Sequence, residues 1–185
     1  MSQEFLGKQA AIAPEGVFII GTYDENGVPN AMNAAWGAQS DYDEITLFLA
    51  PHKTTDNVRH TKAFTVAFAT KDTVGIADYF GVETGKKVNK IEKAGCHVHE
   101  SKHVHAPIIE EFPVTLECEM KSYDDQTGIL VGRIVAEQAD ESVLTDGHID
   151  YDKLQPIIFD IASKTYRVIG PVVGRAFHDG LKWKN

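Results

Sequence analysis

The stretch from Asn30 to Val58 constrains the fold more than any other part of the chain. Residues 30 to 39 mix small side chains with one large aromatic, Trp36, and predict a strand with a flat surface rich in glycine and alanine. Residues 44 to 50, EITLFLA, predict a second, apolar strand. The chain then turns into a helix, so this stretch predicts a strand, strand and helix unit able to hold something flat.

The predicted helix start has the features of an anion site. His52 and Lys53 precede Thr54 and Thr55, and either threonine is predicted to be the N-cap. A helix N-terminus carries free N–H groups and the positive end of the helix dipole, so neighbouring hydroxyls and a lysine can complete a phosphate site. A pair of threonines can equally be only a cap, and both interpretations stay open.

The rest of the chain is rich in short strands separated by turns. Asn26 and Gly27 predict a hairpin between a strand at residues 16 to 22 and the strand that begins at Asn30. A second hairpin is predicted from residues 113 to 123 and 128 to 137. Further strands are predicted at 64 to 70, 157 to 161 and 166 to 169. A short helix is predicted at 73 to 80, capped by Asp72 and ended by Gly81. Two more are predicted at 88 to 94, closed by Gly95, and at 140 to 144. This pattern favours a mainly β, antiparallel barrel with short helices, closed or partly closed, over a parallel α/β sheet.

Composition narrows the possible partners. The 185 residues are ordinary for one soluble domain, so we expect a single domain over residues 1–185. The formal net charge of −9 argues against a general nucleic-acid or anionic-membrane surface, so any anionic ligand must be bound locally. The sequence has neither an apolar signal segment at its start nor a run long enough to span a membrane, and we expect a cytoplasmic protein.

Several motifs together resemble the flavin reductase-like family of FMN-binding split barrels. They are N-x-M-x-x-x-W at 30 to 36, H-K-T-T at 52 to 55, G-K-K-V-N-K at 85 to 90, L-E-C at 116 to 118, G-R-I-V at 132 to 135 and Y-R-V-I-G at 166 to 170. The resemblance implies an antiparallel Greek-key split barrel of the FMN-binding type, with FMN as its cofactor. The first two motifs are the specific ones, and the others mark the fold.

The resemblance also implies which residues bind the cofactor. FMN would lie across the Asn30 strand with its phosphate near the H-K-T-T loop, and Trp36 would wall the pocket or, as the alternative, be a core aromatic. Lys90 matches the lysine that reaches the cofactor in the family, although Lys86 and Lys87 are equally plausible from charge alone. The implied set is Asn30, Ala31, Met32, Asn33, Trp36, His52, Lys53, Thr54, Thr55 and Lys90. No catalytic side chain is implied, because the cofactor carries the redox chemistry.

The implied function is that of a homodimeric, flavin-dependent oxidoreductase. It would pass electrons from a reduced nicotinamide nucleotide through flavin to free flavin, ferric iron or a partner protein. One alternative is a non-catalytic FMN-binding electron carrier that does not turn over with nicotinamide. Another is a split barrel that has lost flavin and binds a different planar ligand.

The run from Cys96 to His105 is the most unusual local feature. Its two H-x-H pairs would each lie on one face of an extended segment, close enough to share a metal ion. The spacing matches no standard zinc site, so we expect extra histidines on a polar edge strand and no metal. Cys96 and Cys118 form no C-x-x-C motif and are expected to be unpaired thiols.

Overall fold

A curled antiparallel sheet of seven strands organises the computed structural model, which describes residues 14–184. The strands are β1 (Glu15–Gly16), β2 (Phe18–Tyr23), β3 (Pro29–Ala34), β4 (Gly37–Asp41), β5 (Glu44–Phe48), β6 (Ala63–Phe68), β7 (Val98–Glu100), β8 (Pro107–Ile109), β9 (Val114–Asp124), β10 (Ile129–Ala139), β11 (Leu144–Thr145), β12 (His148–Ile149), β13 (Ile157–Asp160) and β14 (Thr165–Val168). The helices are α1 (Lys53–Thr61), α2 (Val74–Val82), α3 (Lys90–Ala94) and α4 (Tyr151–Leu154), with 3-10 helices at Glu141–Val143 and Asp179–Trp183.

The order of strands in the large sheet is β3-β2-β6-β9-β10-β5-β4. Every neighbouring pair is antiparallel. A smaller sheet, β1-β13-β14, carries the last strands. This arrangement confirms the predicted fold class, a mainly β, antiparallel split barrel with short helices.

The predicted strand over residues 30 to 39 is wrong in one respect, because it is two strands. β3 pairs with β2, while β4 pairs with β5 at the opposite edge of the same sheet. One straight strand cannot serve both edges, so the chain leaves the sheet at Ala35 and Trp36. Gly37 begins β4, and a Cβ there would collide with Leu47, so glycine permits the close approach to β5.

Both predicted hairpins are confirmed. In the first turn, the Asp24 carboxylate accepts hydrogen bonds from the backbone N–H groups of Asn26 and Val28. Gly27 has φ of 75°, in the left-handed region that glycine tolerates. In the second hairpin β9 pairs with β10, with Gly128 at φ of 72°.

Neither threonine is the N-cap of α1, so that prediction is wrong. The helix begins at Lys53, and the N-cap is His52, whose backbone is extended (φ −140°, ψ 171°). Thr55 lies one turn inside the helix. Its hydroxyl accepts from the backbone N–H of His52 at 2.9 Å and donates to the His52 carbonyl at 2.8 Å, which is one half of a capping box.

The boundaries of α2 and α3 also differ from prediction. The N-cap of α2 is Thr73 and not Asp72, because the Thr73 carbonyl accepts the first helical hydrogen bond, from the Ala77 N–H at 2.9 Å. Gly81 lies inside α2 and does not end it. Helix α3 begins at Lys90, two residues later than predicted, and Gly95 closes it in the left-handed conformation as expected.

Both faces of the central strands are buried, in two clusters. On one face, inside the curl of the sheet, Val58 of α1 packs with the sheet residues Ile20 and Phe64. On the other face, Phe80 of α2 packs with Ile19 and its neighbours. The two clusters fix α1 and α2 relative to β3, which determines the shape of the space between them.

Two further predictions concern the cysteines and the absence of membrane-spanning segments. Cys96 and Cys118 are free thiols, as expected, and burial raises the pKa of each to about 12. No helix within residues 14–184 is both long and apolar enough to cross a membrane.

Candidate functional site

A cavity of about 310 Å³ lies where strand β3, the N-terminus of α1 and the segment from α2 to α3 meet. Strand β3 is at the edge of the sheet, so one row of its backbone N–H and C=O groups is not paired with any strand of residues 14–184. The lining residues are Asn30, Met32, Asn33, Pro51, His52, Lys53, Thr54, Phe80, Gly81, Val82, Glu83, Thr84, Gly85, Lys86 and Lys90.

The cavity brings together most of the residues that the sequence singled out, although they come from three separate segments. Those that line it are Asn30, Met32, Asn33, His52, Lys53, Thr54 and Lys90. Lys86, the alternative to Lys90 by charge, also lines it, whereas Lys87 does not.

Three of the predicted residues do not line the cavity. Ala31 is fully buried on the opposite face of β3, among the residues packed under α2, because successive strand residues face opposite sides. The hydroxyl of Thr55 is directed to the His52 backbone. Trp36 lies beside a separate surface groove with 54% of its surface exposed, and its indole Nε1 donates to Glu15 at 3.0 Å. Trp36 is therefore neither a wall of this cavity nor a core aromatic.

A buried hydrogen bond joins the strand to the helix at the cavity. The side-chain amide of Asn30 donates to the Thr54 hydroxyl at 2.8 Å, and both side chains are buried. Gly85 lies against the same amide, and a Cβ at Gly85 would meet the side-chain oxygen Oδ1 of Asn30 and the side chain of Lys53. Glycine at position 85 thus lets the α2 to α3 segment approach β3 and α1 closely.

The charged side chains that line the cavity are mostly basic, although the chain has a formal net charge of −9. Its charged lining residues are three lysines and one glutamate, Glu83. The Lys53 ammonium is 3.0 Å from the Asp24 carboxylate, and the Lys86 ammonium is 3.9 Å from Asp56, with both partners outside the cavity. The free N–H groups of the first turn of α1 add to this field.

Lys90 is the most perturbed cation at the site. It is only 4% exposed, and its ammonium donates to the carbonyl of Phe80 at 2.7 Å. Within residues 14–184 no carboxylate lies within ion-pair distance of it. Burial lowers the pKa of Lys90 to about 8, against the opposing effect of Glu83. A buried cation without a paired carboxylate is unfavourable by itself and is stabilised by an anionic ligand.

Sequence reasoning missed a neighbouring polar cluster. The Tyr166 hydroxyl donates to Asp78 at 2.8 Å, and burial together with Asp78 raises the pKa of Tyr166 to about 12. These residues line a second cavity of about 370 Å³ that shares Asn33, Gly81 and Val82 with the first. Tyr166 and Asp78 are far apart in the sequence, and no local pattern indicates their contact.

The histidine run does not gather into one site. Each histidine pairs instead with a glutamate: His97 with Glu111, His99 with Glu110, His103 with Glu117 and His105 with Glu100. Among the described residues no group of three or more potential metal ligands occurs.

The family to which the chain belongs follows from its sequence profile. The profile of the flavin reductase like domain matches residues 11–155, which is most of the chain. The chain is therefore a member of the flavin reductase-like family, and the family named from the motifs is confirmed.

Particular relatives agree with this assignment. The structure of flavoredoxin from Desulfovibrio vulgaris (Miyazaki F) is similar with a TM-score of 0.92 and 31% sequence identity, over 97% of this chain and 100% of that one. Flavoredoxin from Methanosarcina acetivorans has the same fold, with a TM-score of 0.89, 23% identity and coverage of 98% and 100%. An uncharacterised protein of Aquifex aeolicus is 30% identical over 121 residues, which span 64% of this chain and 60% of that protein. The family membership supports FMN as the cofactor.

Proposed function

We propose that this protein is an FMN-dependent oxidoreductase that takes electrons from a reduced nicotinamide nucleotide and passes them to free flavin, ferric iron or a partner protein. The observation that carries the proposal is the lysine-lined cavity at the start of α1, in which Lys90 is buried with no carboxylate of residues 14–184 within ion-pair distance. An acidic chain that concentrates lysines and a helix N-terminus around one cavity is suited to a small anion.

The residues present fit FMN by their donor chemistry. A phosphate group needs N–H and O–H donors and positive charge, which Lys53, Thr54 and the first turn of α1 provide. An edge strand offers unpaired backbone groups, so β3 can hydrogen-bond the polar edge of a planar ring. The small lining residues Gly81 and Gly85 leave space on the opposite side.

Each element has a defined role in this proposal. FMN, when bound, supplies the electron-transfer chemistry, and the protein supplies binding, orientation and electrostatics. Asn30 is fixed by Thr54 and orients the ligand along β3. Lys90 places a positive charge in a partly desolvated position, which stabilises negative charge that develops nearby. Ala31 contributes backbone groups alone, and Thr55 holds the N-terminal turn of α1 in shape.

The proposal is tested with purified protein reconstituted with FMN. Oxidation of NADH and of NADPH is followed by absorbance, with free flavin or ferric citrate as acceptor, for the wild type and for Lys90→Met. Lys87→Met is the matched control, since Lys87 is an exposed lysine of the same segment that does not line the cavity.

Turnover that falls in Lys90→Met and persists in Lys87→Met is the expected result. Bound flavin without oxidation of either nicotinamide would replace the proposal by the electron-carrier alternative. Failure to bind FMN at all would overturn the cofactor assignment as well.

A further inference from the structure

A cavity of about 420 Å³, here called the flanking cavity, adjoins the cavity at the start of α1. Lys53 and Lys86 line both cavities. The flanking cavity runs along one face of α1, and the turn between β2 and β3 contributes Asp24 and Glu25 to it. Its lining residues are Asp24, Glu25, Lys53, Asp56, Asn57, His60 and Lys86. A phosphate bound by the first turn of α1 therefore has the flanking cavity directly beyond it.

The two cavities differ in the charge of the side chains that line them. The cavity at the start of α1 has three lysines and one glutamate, whereas the flanking cavity has the three carboxylates of Asp24, Glu25 and Asp56. Its two lysines are the shared ones, and each is already paired with one of these carboxylates. The ammonium of Lys53 is 3.0 Å from Asp24, and that of Lys86 is 3.9 Å from Asp56. A negative charge that enters the flanking cavity therefore meets carboxylates whose lysine partners are already engaged.

Asp24 is held in a fixed position at the boundary of the two cavities. Its Oδ1 accepts hydrogen bonds from the backbone N–H groups of Asn26 and Val28, both at 2.9 Å, while its Oδ2 faces the Lys53 ammonium. The side chain is only 14% exposed. Asp24 cannot rotate away from an approaching anion without breaking the hydrogen bonds of the β2 to β3 turn. It is therefore a preorganised negative charge beside the place proposed for a phosphate.

Flavin mononucleotides and flavin dinucleotides differ at the group that would lie there. The phosphate of FMN is a monoester, which carries a charge of about −1.5 to −2 on one group at pH 7. In FAD the same phosphate is part of a diphosphate, which carries one negative charge on each phosphate and continues into adenosine. FMN would keep all of its charge beside Lys53 and the first turn of α1. FAD would leave only half of it there and place the other half beyond, next to Asp24.

We propose that Asp24, Glu25 and Asp56 are specificity-determining residues, which repel the second phosphate of a dinucleotide and so select a flavin phosphomonoester over FAD. The selection acts by repulsion of the wrong ligand and needs no additional contact with the right one. It rests on the proposed function, because it takes the flavin phosphate to lie at the start of α1. Its consequence for the reaction is that FMN, and not FAD, is the flavin that the protein accepts, whether as cofactor or as free electron acceptor.

The experiment measures the dissociation constants of FMN and of FAD for the flavin-free protein by isothermal titration calorimetry. Asp24→Asn keeps an oxygen at the Oδ1 position for the two hydrogen bonds of the turn and removes the charge at Oδ2. Asp56→Asn removes a carboxylate that is 57% exposed, so its effect on folding is small. Glu141→Gln is the matched control, since it changes the net charge equally at an exposed residue that lines neither cavity.

The wild type should bind FMN about tenfold or more tightly than FAD, as expected for one like-charge contact near the protein surface. Asp24→Asn should narrow this preference about tenfold through tighter FAD binding, Asp56→Asn should narrow it less because the side chain is more exposed, and Glu141→Gln should leave it unchanged. Raising the salt concentration from about 0.05 to about 0.5 M should narrow the wild-type preference, because salt screens the repulsion. Thermal melting establishes that Asp24→Asn is folded; if it is not, Asp56→Asn and the salt series decide the question.

Two results would overturn the proposal while FMN still binds. A preference for FMN that is the same in both carboxylate variants and at high salt would mean that shape, and not charge, excludes FAD. Weaker FAD binding in Asp24→Asn would mean that the carboxylate holds the hydroxyls of the adenosine ribose. No nicotinamide is present in the titration, so a protein that shows the predicted preference and fails to oxidise nicotinamide would refute the proposed function alone. A wild type that binds neither flavin would refute both.

Discussion

Replacing Lys90 by methionine should make the flavin-free protein more stable and its flavin site weaker. The pKa of Lys90 is about 8, against an ordinary value of 10.5. Each unit of pKa corresponds to about 1.4 kcal/mol, so charging Lys90 at pH 7 costs the fold about 3 kcal/mol. Methionine is of similar length and has no charge, but it leaves the Phe80 carbonyl without its donor, a loss of about 1 kcal/mol. The free energy of unfolding at pH 7 should therefore rise by about 2 kcal/mol.

The same reasoning fixes the sign of the pH dependence. Because the folded-state pKa of Lys90 is lowered, the unfolded chain binds more protons than the folded chain between pH 8 and 10.5. The destabilisation is fully present below pH 8 and is relieved as the pH rises through this window. The stability of Lys90→Met relative to the wild type should accordingly fall by about 3 kcal/mol on going from pH 7 to pH 10.5, so that the variant is about 2 kcal/mol more stable at pH 7 and about 1 kcal/mol less stable at pH 10.5.

Flavin affinity should change in the opposite direction. Loss of a charge-assisted interaction worth about 1.5 to 3 kcal/mol raises the dissociation constant of FMN by about 10- to 150-fold. Urea unfolding of flavin-free protein and fluorescence titration of FMN measure the two effects, with Lys87→Met as the control. A variant that is less stable than the wild type and binds FMN equally well would refute the reasoning, since Lys90 would then be a structural residue.

Three substitutions test individual contacts of the site, and chelator treatment tests the histidine run. Thr55→Ala should lower the free energy of unfolding by about 1 kcal/mol while FMN affinity is retained. Thr54→Val should weaken FMN binding about tenfold, because the Asn30 amide loses its acceptor. Equal effects in the two variants would contradict these separate roles. Gly85→Ala should lower the free energy of unfolding by about 1 to 3 kcal/mol and reduce flavin content, because the added Cβ would displace the Asn30 side chain. An unaltered melting temperature would contradict this, since it would show that the segment from α2 to α3 can shift without loss of stability. Chelator treatment should leave flavin content and activity unchanged, because the histidines between 97 and 105 are separately paired, and activity restored by added zinc would disprove this.

Much of the fold could be predicted because its signals are local. The Asn26-Gly27 pair specifies a tight hairpin, and Gly95 specifies a helix end, and both are where the sequence placed them. The N-cap of α1 could not be assigned, because histidine is an unusual cap and Thr55 resembles one while acting from inside the helix. The decisive contact joins the Thr55 hydroxyl to the backbone of His52, three residues earlier, and the residue types alone do not reveal it.

The site was predictable in its parts more than in its assembly. Lys90 and the loop at Lys53 were found from motifs, and the structure brings both to one cavity. The position of Trp36 could not be predicted from a motif, because it depends on β3 and β4 lying at opposite edges of the sheet, which is a property of the whole topology. The contact between Tyr166 and Asp78 is likewise non-local and has no signature in the sequence.

Proton uptake on FMN binding tests the central claim most directly. Isothermal titration of FMN into flavin-free protein at about pH 8.5, in two buffers with different ionisation enthalpies, counts the protons bound with the ligand. At this pH Lys90 is largely neutral without ligand, and a dianionic phosphate bound by Lys53 and Thr54 in the same cavity raises the pKa of Lys90. The wild type should take up a substantial fraction of one proton and Lys90→Met none. Equal proton uptake in the two proteins, or none in either, would contradict a flavin site built around Lys90.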